Sequence, residues 1–207
     1  MSSKKFAKTL YPVNDFSKIR WSPRAFDDKP VEKDKIRSIL EAARWSPSAG
    51  NEQPWRFMLG FRDDETWKKI FETLDEGNKV WVKPVPVLML TIGKKVFSRR
   101  NTPYAHFQYD TGQSAAHLTF EATNQGLFVH QMAGFDPEKA IREFNIPADH
   151  QPLTVIALGY ITDPSTLPPD LKERERAERT RKGFDELVFS GTFGHKTELF
   201  YEIPPQP

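Results

Sequence analysis

The segment from Trp45 to Phe57 constrains the fold more than any other part of the chain, because it separates a helical pattern from an extended apolar run. It holds two prolines, one glycine and several small polar side chains. Pro47 restrains Ser46 towards an extended conformation, and Gly50 permits backbone angles that a side chain would forbid. Such a loop offers N–H groups, hydroxyls and amides to a flat polar ligand. An ordinary helix-to-strand connection is the alternative.

A second polar motif lies upstream, between Ile19 and Phe26. It places Arg20, Ser22 and Arg24 close together in the sequence. On a helical turn the two arginines, four residues apart, would lie on one face with Ser22 beside them. Guanidinium groups and a hydroxyl suit a phosphate. Charged turns are also common on solvated surfaces, so the motif alone does not identify a phosphate site.

Length and composition are compatible with a well-filled core and with chemistry that depends on a cofactor. The chain has 207 residues, of which 38% are hydrophobic and 13% aromatic, and this length predicts one domain or two small ones. The 17 prolines against 11 glycines favour fixed turns over flexible linkers. Cysteine is absent, which excludes disulfides, thiolate metal sites and redox thiols. Any redox chemistry therefore has to come from a bound cofactor.

Charge and hydropathy argue against several other classes of protein. The net charge of +2 gives no basis for nucleic-acid binding, and no RNP-type or KH-type motif occurs. No apolar run reaches the roughly eighteen residues that a membrane span needs. The first residues lack the apolar stretch of a signal peptide, so we expect a cytoplasmic protein. No HExxH or similar spacing is present, so we expect no metal site.

Periodicity predicts alternating helices and strands. Ile36, Ile39, Leu40 and Ala43 have the spacing of an amphipathic helix, and small residues in a long later helix would let a neighbouring helix approach closely. The predicted helices are Lys33–Trp45, Asp63–Leu74, Tyr104–Gln125 and Pro137–Phe144, the predicted strands are Trp55–Phe61, Val85–Ile92, Gly126–Ala133 and Leu153–Tyr160, and Lys172–Lys182 is a mixed-charge helical stretch.

The two polar motifs, in this order, resemble those of the FMN-dependent nitroreductase family. That family has an Arg-x-Ser-x-Arg/Lys phosphate motif, then a helix and a Pro-Ser-x-x-Asn-x-Gln-Pro-Trp-x-Phe loop. Here they stand as Arg20-Trp21-Ser22-Pro23-Arg24 and Pro47-Ser48-Ala49-Gly50-Asn51-Glu52-Gln53-Pro54-Trp55-Arg56-Phe57. Further similar pieces are Asp110-Thr111-Gly112, the passage from Gly126 to Glu138, the strand from Leu153 to Tyr160, and the basic cluster Arg179–Lys182. The resemblance extends from about Phe16 to about Phe189.

The resemblance implies an α+β, nitroreductase-like fold. Its central sheet is mixed but mainly antiparallel and flanked by helices, and a long central helix lies at the interface of a homodimer. We expect a single FMN-binding domain over residues 1–207, with an extended C-terminal tail, 197–207, that wraps around the partner subunit.

The resemblance also assigns roles around a bound FMN. Arg20 and Ser22, with Arg179 and Arg181, would hold its phosphate, although the glutamates that alternate with bases in Lys172–Lys182 also fit a solvated helix face. Arg24 would lie near the N1–O2 edge of the ring. The complete set of cofactor-binding candidates is Arg20, Trp21, Ser22, Arg24, Pro47, Ser48, Ala49, Asn51, Asn78, His106, Gln131, Met132, Ala133, Gly134, Arg179 and Arg181.

Three of these positions, Asn78, Ala133 and Gly134, also allow a structural interpretation, and the chain departs from many family members at Trp81 and from some at Ala133. Asn78 would face the pyrimidine edge of the ring, or else end a helix beside Gly77. The family often has a lysine where Trp81 stands. The backbone of Ala133 and Gly134 would face the flavin N5, where some members have a glutamate in place of Ala133. A simple strand-to-helix turn is the alternative.

Substrate-side candidates cluster before the long helix. They are His106, Tyr104 and Tyr109, and a packed helix start is the alternative. The predicted activity is FMN-dependent reduction of nitroaromatic, quinone or related small-molecule acceptors with NADH or NADPH, the flavin carrying the chemistry. Because no GxGxxG fingerprint occurs, both substrates would use the same flavin face in ping-pong turnover. Dehalogenation, enoate reduction, flavin breakdown and non-enzymatic flavin binding stay open.

Overall fold

The computed structural model describes residues 5–200, and its central feature is a four-stranded sheet. The strands are β1 (Trp55–Phe61), β2 (Val87–Lys94), β3 (Phe128–Met132) and β4 (His150–Gly159), in the spatial order β1-β2-β4-β3. The helices are α1 (Asp15–Ile19), α2 (Lys33–Arg44), α3 (Glu65–Thr73), α4 (Glu76–Val82), α5 (Phe107–Asn124), α6 (Pro137–Phe144) and α7 (Pro169–Arg176). Each of the three strand pairings in this part of the chain is antiparallel. The predicted α+β class is confirmed.

The central strands are buried on both faces, which is why β2 is a continuous apolar run. Leu88 and Leu90 of β2 face one hydrophobic cluster, shared with buried side chains of α3, α4 and α6. Val87 and Met89 face a second cluster, shared with α2 and α5. Because side chains alternate between the two faces of a strand, β2 contributes to both clusters. Helices therefore cover the sheet on both sides.

Close packing of α2 against α5 positions the loop that follows α2. Ile36, Ile39 and Ala43 of α2 are buried, and the Ser114 hydroxyl of α5 donates to the Ala43 carbonyl at 3.0 Å. Small side chains such as Ala115 permit this approach, as predicted. The loop after Arg44 consequently begins beside the first half of α5.

Most predicted elements are present with ends shifted by one to three residues, and the clearest differences from the sequence prediction are helix α4 and the start of β2. Helix α4 was not predicted, because Gly77 and β-branched residues weaken its local pattern; the burial of Trp81 and Val82 stabilises it. Strand β2 begins at Val87 rather than Val85. The Val85 carbonyl accepts a hydrogen bond from the Trp67 indole N–H at 3.0 Å, which holds this residue outside the ladder.

The chain divides into two compact units, Met1–Ala177 and Glu178–Pro207, of which residues 5–177 and 178–200 are described. The first contains the sheet and helices α1 to α7. In the second, Glu198–Phe200 forms a 3-10 turn where the tail was predicted to be extended, and residues 201–207 of that tail lie outside the described part. The prediction of a single domain stays a prediction. None of the helices between residues 5 and 200 is long and apolar enough to cross a membrane.

Candidate active site

The loop after α2 has an unusual backbone that its own side chains brace. Gly50, Asn51 and Gln53 all have positive φ, at 61°, 55° and 52°. Gly50 thus uses the backbone freedom that glycine permits. The Ser48 hydroxyl accepts the Gln53 N–H at 2.9 Å, and the Gln53 amide donates to the Asn51 side chain at 3.1 Å. Non-glycine residues with positive φ carry strain that surrounding contacts must offset, and such residues cluster at functional sites.

A buried aspartate connects this loop to the start of α5. Asp110 is 3% exposed and accepts the Ala49 N–H at 2.9 Å, together with the Tyr104 hydroxyl and the Gln113 amide. Burial, and then the Asp110 carboxylate, raise the pKa of Tyr104, so this phenol stays protonated and donates. The role of Asp110 is not apparent from the sequence, because an acid in the first turn of a helix is ordinarily explained by the helix dipole.

The loop and the start of α5 together form a groove of about 370 Å³. Its lining residues are Pro47, Ser48, Ala49, His106, Tyr109, Asp110 and Gln113. Two predicted segments that are distant in sequence therefore meet here. His106 is exposed and Tyr109 is 70% exposed, whereas Tyr104 is 1% exposed. Tyr104 therefore lies beneath the groove and supports it, and its placement argues against direct contact with a substrate.

A second contact holds the outer end of the loop. The Glu52 carboxylate accepts the Ser98 N–H at 2.7 Å, and the Phe97 ring lies 4.3 Å from the Tyr104 ring. Burial alone would raise the pKa of Glu52, but the Ser98 hydrogen bond and nearby basic side chains bring it below its ordinary value. The charged carboxylate thus ties the polar segment after β2 to the groove loop.

The upstream motif is an irregular turn, so Arg20 and Arg24 do not share a helix face. Helix α1 ends at Ile19, and Arg20 has an extended ψ of 125°. Arg20 and Arg24 are half-buried and Ser22 is exposed. The Trp21 ring packs edge-on against Phe128. Main-chain contacts, rather than a shared helix face, therefore determine where these side chains point.

His130 of β3 supports this turn from below. Its Nδ1 lies 2.7 Å from the Pro23 carbonyl, and because a carbonyl only accepts, Nδ1 carries the hydrogen. Its ring centroid lies 4.7 Å from that of Trp81. Burial, assisted by the positive charge of Arg24, lowers the pKa of His130 to about 4. The imidazole is therefore neutral at physiological pH. Trp81, where the family often has a lysine, packs against this ring and adds no positive charge beside Arg24.

Glu175 holds the same turn from α7. Arg24 N–H donates to both of its carboxylate oxygens, at 2.9 and 3.0 Å, and Ala25 N–H donates to one of them at 3.0 Å. Glu175 is 2% exposed. The interpretation of Lys172–Lys182 as a solvated helix face is therefore wrong at this residue. Helix α7 also ends at Arg176, before Lys182.

Asn78 and Gly134, two of the residues assigned to the flavin ring, are in contact with each other. Asn78 lies inside α4 rather than at its end, which corrects the capping alternative, and its amide donates to the Gly134 carbonyl at 2.9 Å. A Cβ at position 134 would lie 2.8 Å from that amide nitrogen, so the close approach favours glycine.

The remaining candidates occupy varied environments. Ala133 is exposed, Met132 is 2% exposed and belongs to the core, and the Gln131 amide donates to the Thr119 hydroxyl at 3.2 Å. Arg179 and Arg181 belong to the second unit. There Arg179 is half-buried, and the exposed Arg181 donates to the Thr180 carbonyl at 2.6 Å.

Known proteins resemble this chain in sequence and in fold. Residues 18–84 match the family described as "Nitroreductase family". A solved structure described as an oxidoreductase containing FMN superposes with a TM-score of 0.87, at 35% identity, over 95% of this chain and all (100%) of that one. The chain is 32% identical to a Mycolicibacterium smegmatis protein described as an uncharacterized 15.4 kDa protein, over 68% of this chain and 98% of that protein.

A third relative is named for its reductant. It is a Streptomyces coelicolor protein named "Putative NADH dehydrogenase/NAD(P)H nitroreductase", 30% identical over 68% of this chain and 78% of its own length. With matches of this identity and coverage, the chain belongs to the nitroreductase family.

Proposed function

We propose that this protein is an oxidoreductase that holds FMN, accepts electrons from NADH or NADPH, and passes them to a small-molecule acceptor such as a nitroaromatic or a quinone. Family membership and the FMN-containing relative support the proposal. The observation that carries it is Arg24. This residue is half-buried, and its guanidinium forms no hydrogen bond or ion pair with the residues described between 5 and 200. A partly desolvated cation without a protein partner favours an anionic ligand.

The residues also suit FMN in chemical kind. A phosphate monoester carries up to two negative charges, for which Arg20 and Ser22 are donors, and we propose Arg179 and Arg181 as further contacts. For the ring we propose Arg24 at the pyrimidine edge, with Asn78 and the backbone at Ala133 and Gly134. When bound, FMN supplies the hydride-transfer chemistry. The task of the chain is to orient that ring and to place a positive charge beside it.

The groove at Pro47–Ala49 is the proposed opening for both substrates. The exposed side chains of His106 and Tyr109 line it, together with Asp110, which holds the loop through the Ala49 N–H. Since the chain carries no dinucleotide fingerprint, we propose that nicotinamide and acceptor enter in turn, which predicts parallel double-reciprocal plots. Intersecting plots would instead require a complex with both substrates bound.

A homodimer is part of the proposal. A surface groove of about 440 Å³ is lined by residues of α1, α2 and α5 and by the residue after α2, among them Phe16, Trp45, His117 and Phe120. Trp45 is 71% exposed, and Phe16 and Phe120 are about 40% exposed. Exposed aromatic patches of this kind mark interaction sites, and a second copy of the chain is the occupant we propose. Sedimentation of flavin-loaded protein at the monomer mass of 23.9 kDa would contradict a shared site. The cytoplasmic location inferred from the sequence also remains a proposal.

Anaerobic reduction tests the activity directly. FMN-loaded protein is mixed with NADH or NADPH, loss of the visible flavin absorbance is followed, and a panel of acceptors is then added. We expect bleaching by the nicotinamide and recovery with nitroaromatics or quinones. Arg24→Gln should slow bleaching, whereas Arg142→Gln, at an exposed arginine of α6, should not. A flavin that no nicotinamide reduces would instead identify a flavin-binding protein, and recovery only with halogenated, enoate or other acceptors would redirect the assignment.

A further inference from the structure

Glu175 is a buried carboxylate on a helix whose other charged side chains are largely exposed. Its exposed fraction is 2%, whereas Glu173, Arg174 and Arg176 of the same helix are exposed. Removing a carboxylate from water is unfavourable unless hydrogen bonds or a cation compensate for the lost hydration. In the structure, this compensation comes from main-chain N–H groups of a segment about 150 residues away in sequence. What these hydrogen bonds do for that segment is therefore the question that the burial of Glu175 raises.

The carboxylate accepts hydrogen bonds from two successive peptide N–H groups. Arg24 N–H lies 2.9 Å from one oxygen and 3.0 Å from the other, and Ala25 N–H lies 3.0 Å from the first. Hydrogen bonds to an ionised acceptor are stronger than neutral ones. Because both peptide planes are fixed, the direction in which the Arg24 side chain leaves the backbone is fixed as well.

Two other elements hold the neighbouring residues. The Pro23 carbonyl accepts from His130 of β3 at 2.7 Å. The Ala25 carbonyl accepts the Thr162 N–H, and Asp27 N–H donates to the Tyr160 carbonyl, both at 2.9 Å and both just beyond the end of β4. The main chain around Arg24 is thus anchored by three elements. In the described part of the chain its guanidinium nevertheless has no hydrogen-bond or ion-pair partner.

We infer that Glu175 is a positioning residue, which holds Arg24 so that its guanidinium meets the flavin ring. The inference rests on the proposed FMN-dependent function. Since Glu175 occupies the two N–H groups of the turn, the anionic edge of a ligand is met by the Arg24 side chain rather than by these amides. A fixed backbone also reduces the conformational freedom that Arg24 loses when the ligand binds.

A double-mutant cycle tests this coupling. FMN affinity is measured by flavin fluorescence quenching for the parent protein, Glu175→Ala, Arg24→Gln and the double variant. Glu175→Ala should weaken FMN binding about tenfold, the lower end of the effect of a hydrogen bond to a charged group. In the Arg24→Gln background the same change should have less than about a twofold effect, because contacting residues are not additive. Glu173→Ala, at the exposed neighbour, should bind FMN like the parent.

Two results would overturn the inference while leaving the proposed function intact. If Glu175 acts only as a negative charge, its removal will tighten FMN binding. If it only supports the fold, Glu175→Ala will weaken binding equally in the Arg24→Gln background. Should Glu175→Ala fail to fold, Glu175→Gln replaces it. Its amide oxygen can keep the two bonds of one carboxylate oxygen, whereas its NH2 group cannot accept the third. FMN binding should then weaken by less than about tenfold, and only in the background that keeps Arg24. A parent protein that binds no FMN would overturn the proposed function and this inference together.

Discussion

His130 should make the stability of the apoprotein depend on pH. The imidazole is 9% exposed, and its pKa of about 4 in the folded protein compares with an ordinary value of 6.5. The unfolded chain therefore binds more protons between these two values, and stability falls as pH drops through this window. The difference of about 2.5 pKa units corresponds to about 3 kcal/mol in total, of which about 2 kcal/mol is lost by pH 5.

Urea unfolding of cofactor-free protein at pH 7.5 and pH 5 measures this dependence. His130→Asn is the matched variant, because its amide can take the place of the Nδ1–H that donates to Pro23 and it does not titrate. The parent protein should lose about 2 kcal/mol more than the variant between the two pH values. Other groups that titrate, and the charge of the neighbouring Arg24, affect both proteins alike. Equal losses in the two proteins would refute a buried, neutral His130.

Three further pairs of substitutions test separate parts of the structure. Tyr104→Phe removes the hydroxyl that donates to Asp110. It should lower the free energy of unfolding by about 1–3 kcal/mol and weaken FMN binding. The control Tyr109→Phe, at an exposed ring, should have a free energy of unfolding within about 0.5 kcal/mol of the parent value. Gly60→Ala should destabilise the protein by about 1–3 kcal/mol in urea unfolding, because the new Cβ would lie 2.5 Å from the Trp67 Cα. Gly77→Ala, by contrast, places its Cβ in open space and should stabilise the protein by up to about 1 kcal/mol through the higher helix propensity of alanine in α4. Arg20→Ala and Arg181→Ala should each weaken FMN binding about ten- to a hundredfold in a quenching titration; parent-like binding by Arg181→Ala would remove the C-terminal cluster from the site.

Elements with strong local signals could be predicted from the sequence. Strand β1 and helix α6 have the predicted bounds. For α6 the reason is local: Asp136 caps the first turn, Pro137 begins it, and Asn145 ends the helix in the left-handed conformation. Helix α4 also follows an aspartate, Asp75, but this side chain makes no capping hydrogen bond, and the burial of Trp81 by other elements decides the structure.

The supports of the candidate site depend on contacts that sequence spacing does not reveal. The loop, Arg24 and Asn78 could be proposed from their family motifs. The supporting roles of Asp110 and Glu175 could not, because the N–H groups that they hold are 61 and 151 residues away along the chain. In sequence, Glu175 is one of several glutamates among bases, and no periodicity shows which of them is buried. The burial of Tyr104, which favours the alternative of a packed helix start, is not visible in the sequence either, because it depends on contacts with Phe97 and with the loop at Ala49.

Flavin binding by the purified protein tests the central claim most directly. Cofactor-free protein is titrated with FMN and with riboflavin, which lacks the phosphate, and any pigment released from the native protein by heat is identified. We predict one FMN per chain, FMN as the released pigment, and binding of FMN at least about a hundredfold tighter than riboflavin, as expected for two or more charge-assisted hydrogen bonds to the phosphate. Release of FAD, equal affinity for riboflavin and FMN, or no flavin binding at micromolar concentration would contradict the account.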